Sequence, residues 1–490
     1  MRVTALRDPR DVERIAELEG QLVAKDVEIA QLKAEVAGLS EKVAELTELV
    51  AKLMAKLGQN SGNSSLPPSS DGPGARAGEK SKGSAKRSRG GQPGHRGSKR
   101  ELVPLEQVAV FVEMYPAKCE NCWVALPQTR DDNAERYQVT EVPPIVPHTT
   151  EYRRNAVKCT CCGFTTQAKL GAVPLSPFGP RLMALIGLFV GTYHLSRRRT
   201  GELLHDVLGV KISLGALSAI EARVSDAVAS SWAQIWAKVT AAAVKHTDAT
   251  SWLHAGTLRS LWAVASSCAT AFKILLNGSA ALVRPLFGDC TGILVSDRAT
   301  VFSFWHMANR QICWSHLLRK FVSFSERDGP MRELGEELID YAALVFRYWH
   351  AFKDGKLDRA ALVLKMAPVR LQFEACLKRA VAAKLSELSG SCDDILHHSA
   401  ALWTFVDQLG VEPTNNHAER ELRAFVLWRK RCFGAQSERG HLFAERLMSV
   451  AATARKQNKN VLAFLTACCT AKLSGTTPPS VFAAPAAPLS

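Results

Sequence analysis

At 490 residues the chain is too long for one core, and length alone suggests about three domains. Apolar residues make up 47% of it, which supplies packed cores and excludes a globally disordered protein. Lys and Arg number 62 against 47 Asp and Glu, a formal net charge of +15, which favours a polyanionic partner, nucleic acid above all.

The first residues, Met1 to Asp8, are charged and lack the apolar stretch of a signal peptide. The longest apolar run, Leu182 to Leu195, contains Thr192 and His194. It is shorter than the roughly 18–20 residues of a membrane span, so a buried helix and no membrane partner are expected. Of the 13 cysteines, four are paired at metal-ligand spacing. The rest sit in apolar contexts that suit reduced thiols, which points to the cytoplasm.

Residues 11–57 carry a heptad repeat. Ile15, Leu22, Ile29, Val36, Val43, Val50 and Leu57 occupy position a, and Leu18, Lys25, Leu32, Leu39, Leu46 and Leu53 position d. Mostly β-branched a with Leu at d predicts a parallel coiled-coil dimer, with Lys25 fixing register. The alternative is one amphipathic helix packed on its own chain. Residues 58–101 break the pattern with Pro67-Pro68, ten glycines and nine Lys/Arg against three acids. They read as a flexible basic linker, able to lie on DNA phosphates without sequence choice.

Two C-x-x-C pairs, Cys119/Cys122 and Cys159/Cys162, place a four-cysteine zinc site in a domain spanning 102–172, with Cys161 a spare thiol. A closed four-thiolate site has a structural role. Residues 178–235 read as helices. Gly209 makes a turn there and Ser213 can cap the next helix, which is helix-turn-helix spacing or a plain helical hairpin.

From 240 to 470 the pattern changes. Strands are predicted at Val244–Ala249, Ser260–Ser266 and Phe272–Leu276, a short helix at Ala280–Phe287, then a strand at Gly292–Ser296. Three strands, a helix and a fourth strand is ribonuclease-H-like order, which lays the first and fourth strands side by side. Residues from about 325 to 405 read as an all-helical insertion, and the Pro/Ala-rich tail, 474–490, as disordered. The expected fold class is therefore multidomain α+β.

Asp248 and Asp297 fall at predicted strand ends, and Glu419 on a predicted helix. Three carboxylates converging from two strands and a helix suit two Mg²⁺ ions, with Mn²⁺ as a substitute, because these hard cations prefer oxygen ligands. Taken singly, each acid can equally be a turn, cap or surface residue.

At these positions the chain resembles the large transposase of the insertion sequence 66 family, a DDE transposase. The resemblance spans nearly the whole chain. It rests on the coiled-coil start, the segments Asn60 to Gly72 and Gly90 to His95, both cysteine pairs, and the Asp248 and Asp297 strands. It continues through Cys313-Trp314-Ser315-His316, Asn415-Asn416-His417-Ala418-Glu419-Arg420 and Arg429-Lys430. It implies Asp248, Asp297 and Glu419 as the catalytic triad, with Trp314, His316, Asn416 and Arg420 as signature residues nearby. His316 would contact the scissile phosphate or orient a carboxylate, and Asn416 and Arg420 would position DNA phosphates. The sequence departs from the family at Ala249 after the first acid and at Arg298-Ala299 after the second.

The implied activity is metal-dependent cleavage and strand transfer at the ends of a mobile DNA element. Its partners would be terminal repeats and target DNA, a second copy of the chain and small accessory proteins, in the bacterial cytoplasm at the nucleoid. The competing readings are a nuclease or junction resolvase on the same fold, and a catalytically decayed DNA-binding protein.

Overall fold

The computed structural model describes residues 9–57, 100–169, 171 and 176–483. The basic linker and the Asn60–Gly72 and Gly90–His95 segments therefore lie outside the described residues, apart from Arg100 and Glu101. The chain divides into two units. One is Met1–Ser84 with Leu317–Leu344 and Arg379–Gly390, and the other is Ala85–His316 with Val345–Lys378 and Ser391–Ser490.

The heptad segment folds as one uninterrupted helix, α1 (Pro9–Leu57). It contains no proline beyond its first residue, and the apolar a and d residues from Leu18 to Val50 are exposed. Leu22 is 63% exposed, Val36 62% and Leu39 62%. Lys25, the polar d residue, pairs with Glu28 one turn on at 2.6 Å.

In the second unit each C-x-x-C segment makes a tight turn. Gly163 N–H and Trp123 N–H return to the carbonyls of Cys159 and Cys119. The second turn joins the antiparallel pair β1 (Ala156–Lys158) and β2 (Thr165–Gln167). Backbone N–H groups aimed at the first sulfur of each pair hold Cys119 and Cys159 below the usual thiol range. Thiolate character of this kind is what a metal ligand needs.

A helical layer follows: α2 (Pro180–Gly187), α3 (Arg197–Leu208), α4 (Leu214–Ala227) and α5 (Ala229–Thr240). The apolar run expected as a buried helix is α2 continued by a π-helical turn through Thr192, with Met183, Ala184 and Ile186 fully buried. Among the described residues no helix is long and apolar enough to cross a membrane. Gly209, at φ +65°, ends α3 in the left-handed conformation, and Ser213 caps α4 through Ala216 N–H. Arg197 grips the buried Glu221 with two bonds of 2.8 and 2.6 Å, so this basic residue is spent on joining α3 to α4.

The central sheet has five strands: β3 (Val244–His254), β4 (Thr257–Ala265), β5 (Thr270–Leu275), β6 (Ile293–Ser296) and β7 (Arg310–Ile312). Their order is β5-β4-β3-β6-β7. The first three form an antiparallel meander, and β6 and β7 run parallel to β3. Between β5 and β6 lies α6 (Ala280–Val283), where the short helix was expected. The fifth strand was not anticipated. Its Arg310-Gln311-Ile312 sequence carries no apolar run, yet Arg310 and Gln311 are buried and pay their polar groups into hydrogen bonds.

The remaining helices are α7 (Trp314–Ser325), α8 (Pro330–Lys353), α9 (Arg359–Ala382), α10 (Ser386–His397), α11 (Thr404–Asp407), α12 (Asn416–Cys432), α13 (Glu438–Lys456) and α14 (Val461–Ser474). The stretch expected as a helical insertion holds α8, α9 and α10, joined by short turns. Within the first unit Arg379 pairs with Glu337, and Ser389 donates to the Ala380 carbonyl. Within the second unit Arg359 donates to the Phe405 and Val406 carbonyls at 2.8 Å. Residues after 474 were expected to be disordered, but Val481 is fully buried and Lys459 bonds the Ser480 and Ala483 carbonyls.

The core of the second unit joins α2, α4, α5, α12, α13 and α14 to the sheet. Strand β5 is an edge, and α13 satisfies its outward N–H groups with a ladder of side chains. Thr453, Ser449 and Glu445 accept from Thr270, Phe272 and Ile274 at 3.0, 2.9 and 2.8 Å. Four helical residues rise about 6.0 Å and two strand residues about 6.6 Å, so the spacings match rung for rung. Glu445 also pairs with Lys273 at 2.9 Å, although burial still pushes its carboxyl up. Ser449→Val leaves the Phe272 N–H without an acceptor. We expect a loss of about 1–3 kcal/mol, read as a fall in denaturation midpoint, with Ser449→Thr close to wild type.

Candidate active site

The site is built where β6 and β7 end beside the middle of β3: Asp248, expected at a strand end, lies inside β3, which continues to His254. Val244, Lys245 and His246 pair with Ile293, Leu294 and Val295. The same register carried two residues further sets Asp248 level with Asp297. On the other side Ser296 pairs with Ile312, and Cys313 N–H donates to the Ser296 carbonyl at 2.9 Å. Both aspartates are half-buried. Asp248 Oδ1 accepts from Ala249 N–H at 2.8 Å, and Asp297 Oδ1 from Ala299 N–H at 3.0 Å. Each carboxylate thereby accepts from a backbone N–H one or two residues on.

Glu419 arrives on the first turn of α12. The fully buried Asn415 places that turn. Its side-chain amide donates to the Thr247 carbonyl at 2.7 Å, one residue before Asp248. Its backbone N–H donates to Cys313 Sγ at 3.1 Å. Glu419 N–H returns to the Asn415 carbonyl. One residue thus joins the helix of the third acid to the strand of the first and to the segment following β7.

His316 lies on the first turn of α7, with Nδ1 3.6 Å from Glu419 Oε1, longer than a hydrogen bond. Its neighbour Trp314 is fully buried. Trp314 N–H donates to the Pro413 carbonyl and its indole to Leu402, both at 2.9 Å, and the ring packs on Phe373 and Trp403. Trp314 therefore anchors the start of α7 instead of touching a substrate. Cys313 completes a cluster with His316 and Glu419. Burial pushes its thiol up, and the sulfur is already used as an acceptor by Asn415. It is a poor partner for a hard cation.

The opposite face of α12 is held from α13. Lys456 reaches His417 Nε2 at 2.7 Å and Glu421 at 3.0 Å, on either side of Glu419. His417 stacks on His246 at 5.0 Å. Burial lowers both histidines to about 4, with Lys456 contributing, so both are neutral at pH 7. Further along α12, Phe425 and Trp428 pack on Trp252, and Arg429 donates to Thr250 Oγ1 at 3.1 Å. Asn416 and Arg420 lie on the exposed face of α12, outside the hydrogen-bonded frame.

Backbone pairing sets Asp248 level with Asp297, the Asn415 bridge ties the Glu419 helix to β3, and His316 lies beside Glu419; among the described residues the ligand atoms of the three acids do not all fall within 4.8 Å of one another. Cys119, Cys122, Cys159 and Cys162 lie elsewhere in the chain and, among the described residues, are not gathered into one cluster of ligand atoms. Sequence reading chose Asn416, whereas the buried bridge is Asn415, and it overlooked Lys456 and His246. The signal for Asn415 was present in the Asn-Asn pair opening a helix, but helical phase alone does not say which of the two faces inward. Arg298, where the family resemblance expects an aromatic nearby, pairs with Asp394 at 3.1 Å and bonds Ser391, so it ties the strand end to α10.

The mixed five-stranded sheet thus sets two carboxylates level, and a helix carries a third residue of the same kind. Comparison with known proteins then gives the family. A family model described as Transposase IS66 family matches residues 176–442, which hold all five strands and α12. That is more than half of the chain, and the chain belongs to the IS66 family of transposases. A second model, of a family of unknown function, matches residues 17–101. No curated protein matches the chain.

Proposed function

We propose that this protein is a DDE transposase that cuts and joins DNA at the ends of an insertion sequence. The observation that carries the proposal is the β3–β6 register, which sets Asp248 level with Asp297, together with the Asn415 bridge that ties the first turn of the Glu419 helix to Thr247. The β5-β4-β3-β6-β7 order supports a ribonuclease-H-like reading of the core.

The residues fit divalent metal. The donors are carboxylate oxygens, and Glu419 Oε1 is buried with no hydrogen bond of its own. Asp248, Asp297 and Glu419 would hold the two ions. When bound, a Mg²⁺ pair supplies an activated oxygen nucleophile and charge stabilisation at the leaving oxygen. The chain's own contribution is to hold the acids in place. Asp248 and Asp297 are fixed by backbone N–H groups and Glu419 by the first turn of α12, while His316 orients the Glu419 carboxylate. Arg420 and Asn416, exposed beside Glu419, serve the DNA phosphates. A freed 3′-hydroxyl then attacks a target phosphate at the same acids, so no Ser or Tyr nucleophile is needed.

The test is nicking and strand transfer on DNA carrying the element's ends, with and without Mg²⁺. Cleavage and joining in Mg²⁺ are expected. Cleavage without joining would favour a nuclease, and binding without chemistry a decayed DNA-binding protein.

We further assign the cysteine pairs to structural zinc and the stripe on α1 to pairing with a second chain. Holding two DNA ends needs two copies, and effective concentration rises when they are tethered. Leu39→Asp in the d row is expected to halve the mass found by sedimentation equilibrium. An unchanged mass would remove α1 from the assembly.

A further inference from the structure

At the last residue of β3, roughly 20 Å along the strand from Asp248, lies a second group of ligand side chains. His254 ends β3, while Glu438 and His441 lie on the first turn of α13. The turn between α12 and α13 is pinned against them. His254 bridges Ala435, and Gly434, at φ +85°, sits so close that a Cβ would fall 2.1 Å from the Leu253 carbonyl oxygen.

The three side chains make a closed triangle. His441 Nδ1 is 3.3 Å from Glu438 Oε2, His254 Nε2 is 4.0 Å from Glu438 Oε1, and His254 Nδ1 is 3.2 Å from His441 Nε2. Arg259 Nη2, 3.5 Å from Glu438 Oε1, anchors the carboxylate. His254 Nε2 lies beyond hydrogen-bond reach of the carboxylate, whereas His441 Nδ1 is within it. The edge that joins the two rings is His254 Nδ1 to His441 Nε2. Its 3.2 Å is close to the roughly 3.3–3.4 Å that separates two imidazole nitrogens on a tetrahedral zinc with bonds of about 2.0–2.1 Å. A carboxylate that fixes the tautomer of a ligating histidine is the usual support of such sites. His441 is 5% exposed on its side chain, so the pair lies beneath the surface on the α13 side.

We propose that His254 Nδ1 and His441 Nε2 bind a divalent cation of the Zn²⁺ class, with Glu438 as the carboxylate that orients the His441 ring and water completing the coordination. Imidazole nitrogen selects Zn²⁺, Ni²⁺ or Cu²⁺ over Mg²⁺, so this site is chemically separate from the acids. An ion here clips β3 to α13 across the turn that follows α12.

The test uses the full chain stripped of metal and titrated with Co²⁺ and Zn²⁺, wild type beside His254→Ala and His441→Ala. All three keep the cysteine pairs, so thiolate-to-cobalt charge transfer is the same in each. Wild type is expected to bind one equivalent more than either variant. That extra cobalt should show ligand-field absorption without charge transfer, and excess Mg²⁺ should not displace it. Zn²⁺ should raise the unfolding midpoint of wild type more than that of His254→Ala, the more exposed position. Equal uptake in wild type and His254→Ala would overturn the proposal, and would leave the pair sharing a proton.

Discussion

Glu419→Gln is expected to lose about 10³-fold in Mg²⁺-dependent cleavage and joining, since metal-assisted charge stabilisation is worth several kcal/mol and each 1.36 kcal/mol is tenfold. The substitution keeps shape and removes one charge. Among the described residues the Glu419 side chain makes an ion-pair contact with His316 at 3.6 Å, so little of the fold depends on it. DNA binding, read by gel shift, and the unfolding midpoint without metal should therefore match wild type. The stabilisation that Mg²⁺ gives wild type should shrink in the variant. Cleavage within tenfold of wild type would take Glu419 out of the site.

Asn415→Ala should be as damaging to activity by a different route. It leaves all three acids chemically intact. It removes the amide that holds the Thr247 carbonyl and opens a void in a fully buried position. We expect a stability loss of about 2 kcal/mol. Well below the melting midpoint the rate should still fall about 10²-fold, because a displacement of about 1 Å in a catalytic group costs that much. The Mg²⁺ concentration for half-maximal rate should rise, which simple destabilisation would not cause. Asn415→Asp keeps the volume but sets a carboxylate oxygen against the Thr247 carbonyl, so it should fare no better than Ala. Asn416→Ala, on the exposed face, should leave stability within a few tenths of a kcal/mol. A reversal of these two positions would refute the bridge.

Periodicity carried far in this chain. The continuous α1 helix, the Gly209 and Ser213 boundaries and four of the five sheet strands were readable because apolar spacing and capping residues act locally. Of the candidate acids, Asp297 follows an apolar run that ends a strand and Glu419 sits on a first turn, whereas Asp248 lies inside β3, because pairing with β4 carries that strand on to His254. What escaped was long-range satisfaction of buried polar groups. Strand β7 is short and polar, and Gln311 is tolerated there only because Leu402 and Phe405, about 90 residues on, supply its partners. Asn415 and Lys456 escaped for the same reason, since their partners Thr247 and His417 are distant in sequence. The α13 ladder likewise reads in sequence as three small or polar residues on an ordinary helix.

The placement of these partners along the chain has a consequence for how the protein is made. Asp297 and Glu419 are 122 positions apart, and Lys456, which steadies the Glu419 helix, comes later still. Chains emerge from the ribosome N-terminus first, and contacts between distant residues form late because closing long loops costs entropy. The edge of β5 likewise waits for Glu445, Ser449 and Thr453 before its N–H groups are satisfied. A nascent or truncated chain that stops short of α13 can therefore hold the first two acids while lacking the frame that positions the third. An open strand edge and an unfinished site persist together until nearly the whole chain has been synthesised, so cutting competence and protection from edge-to-edge association arrive in the same step.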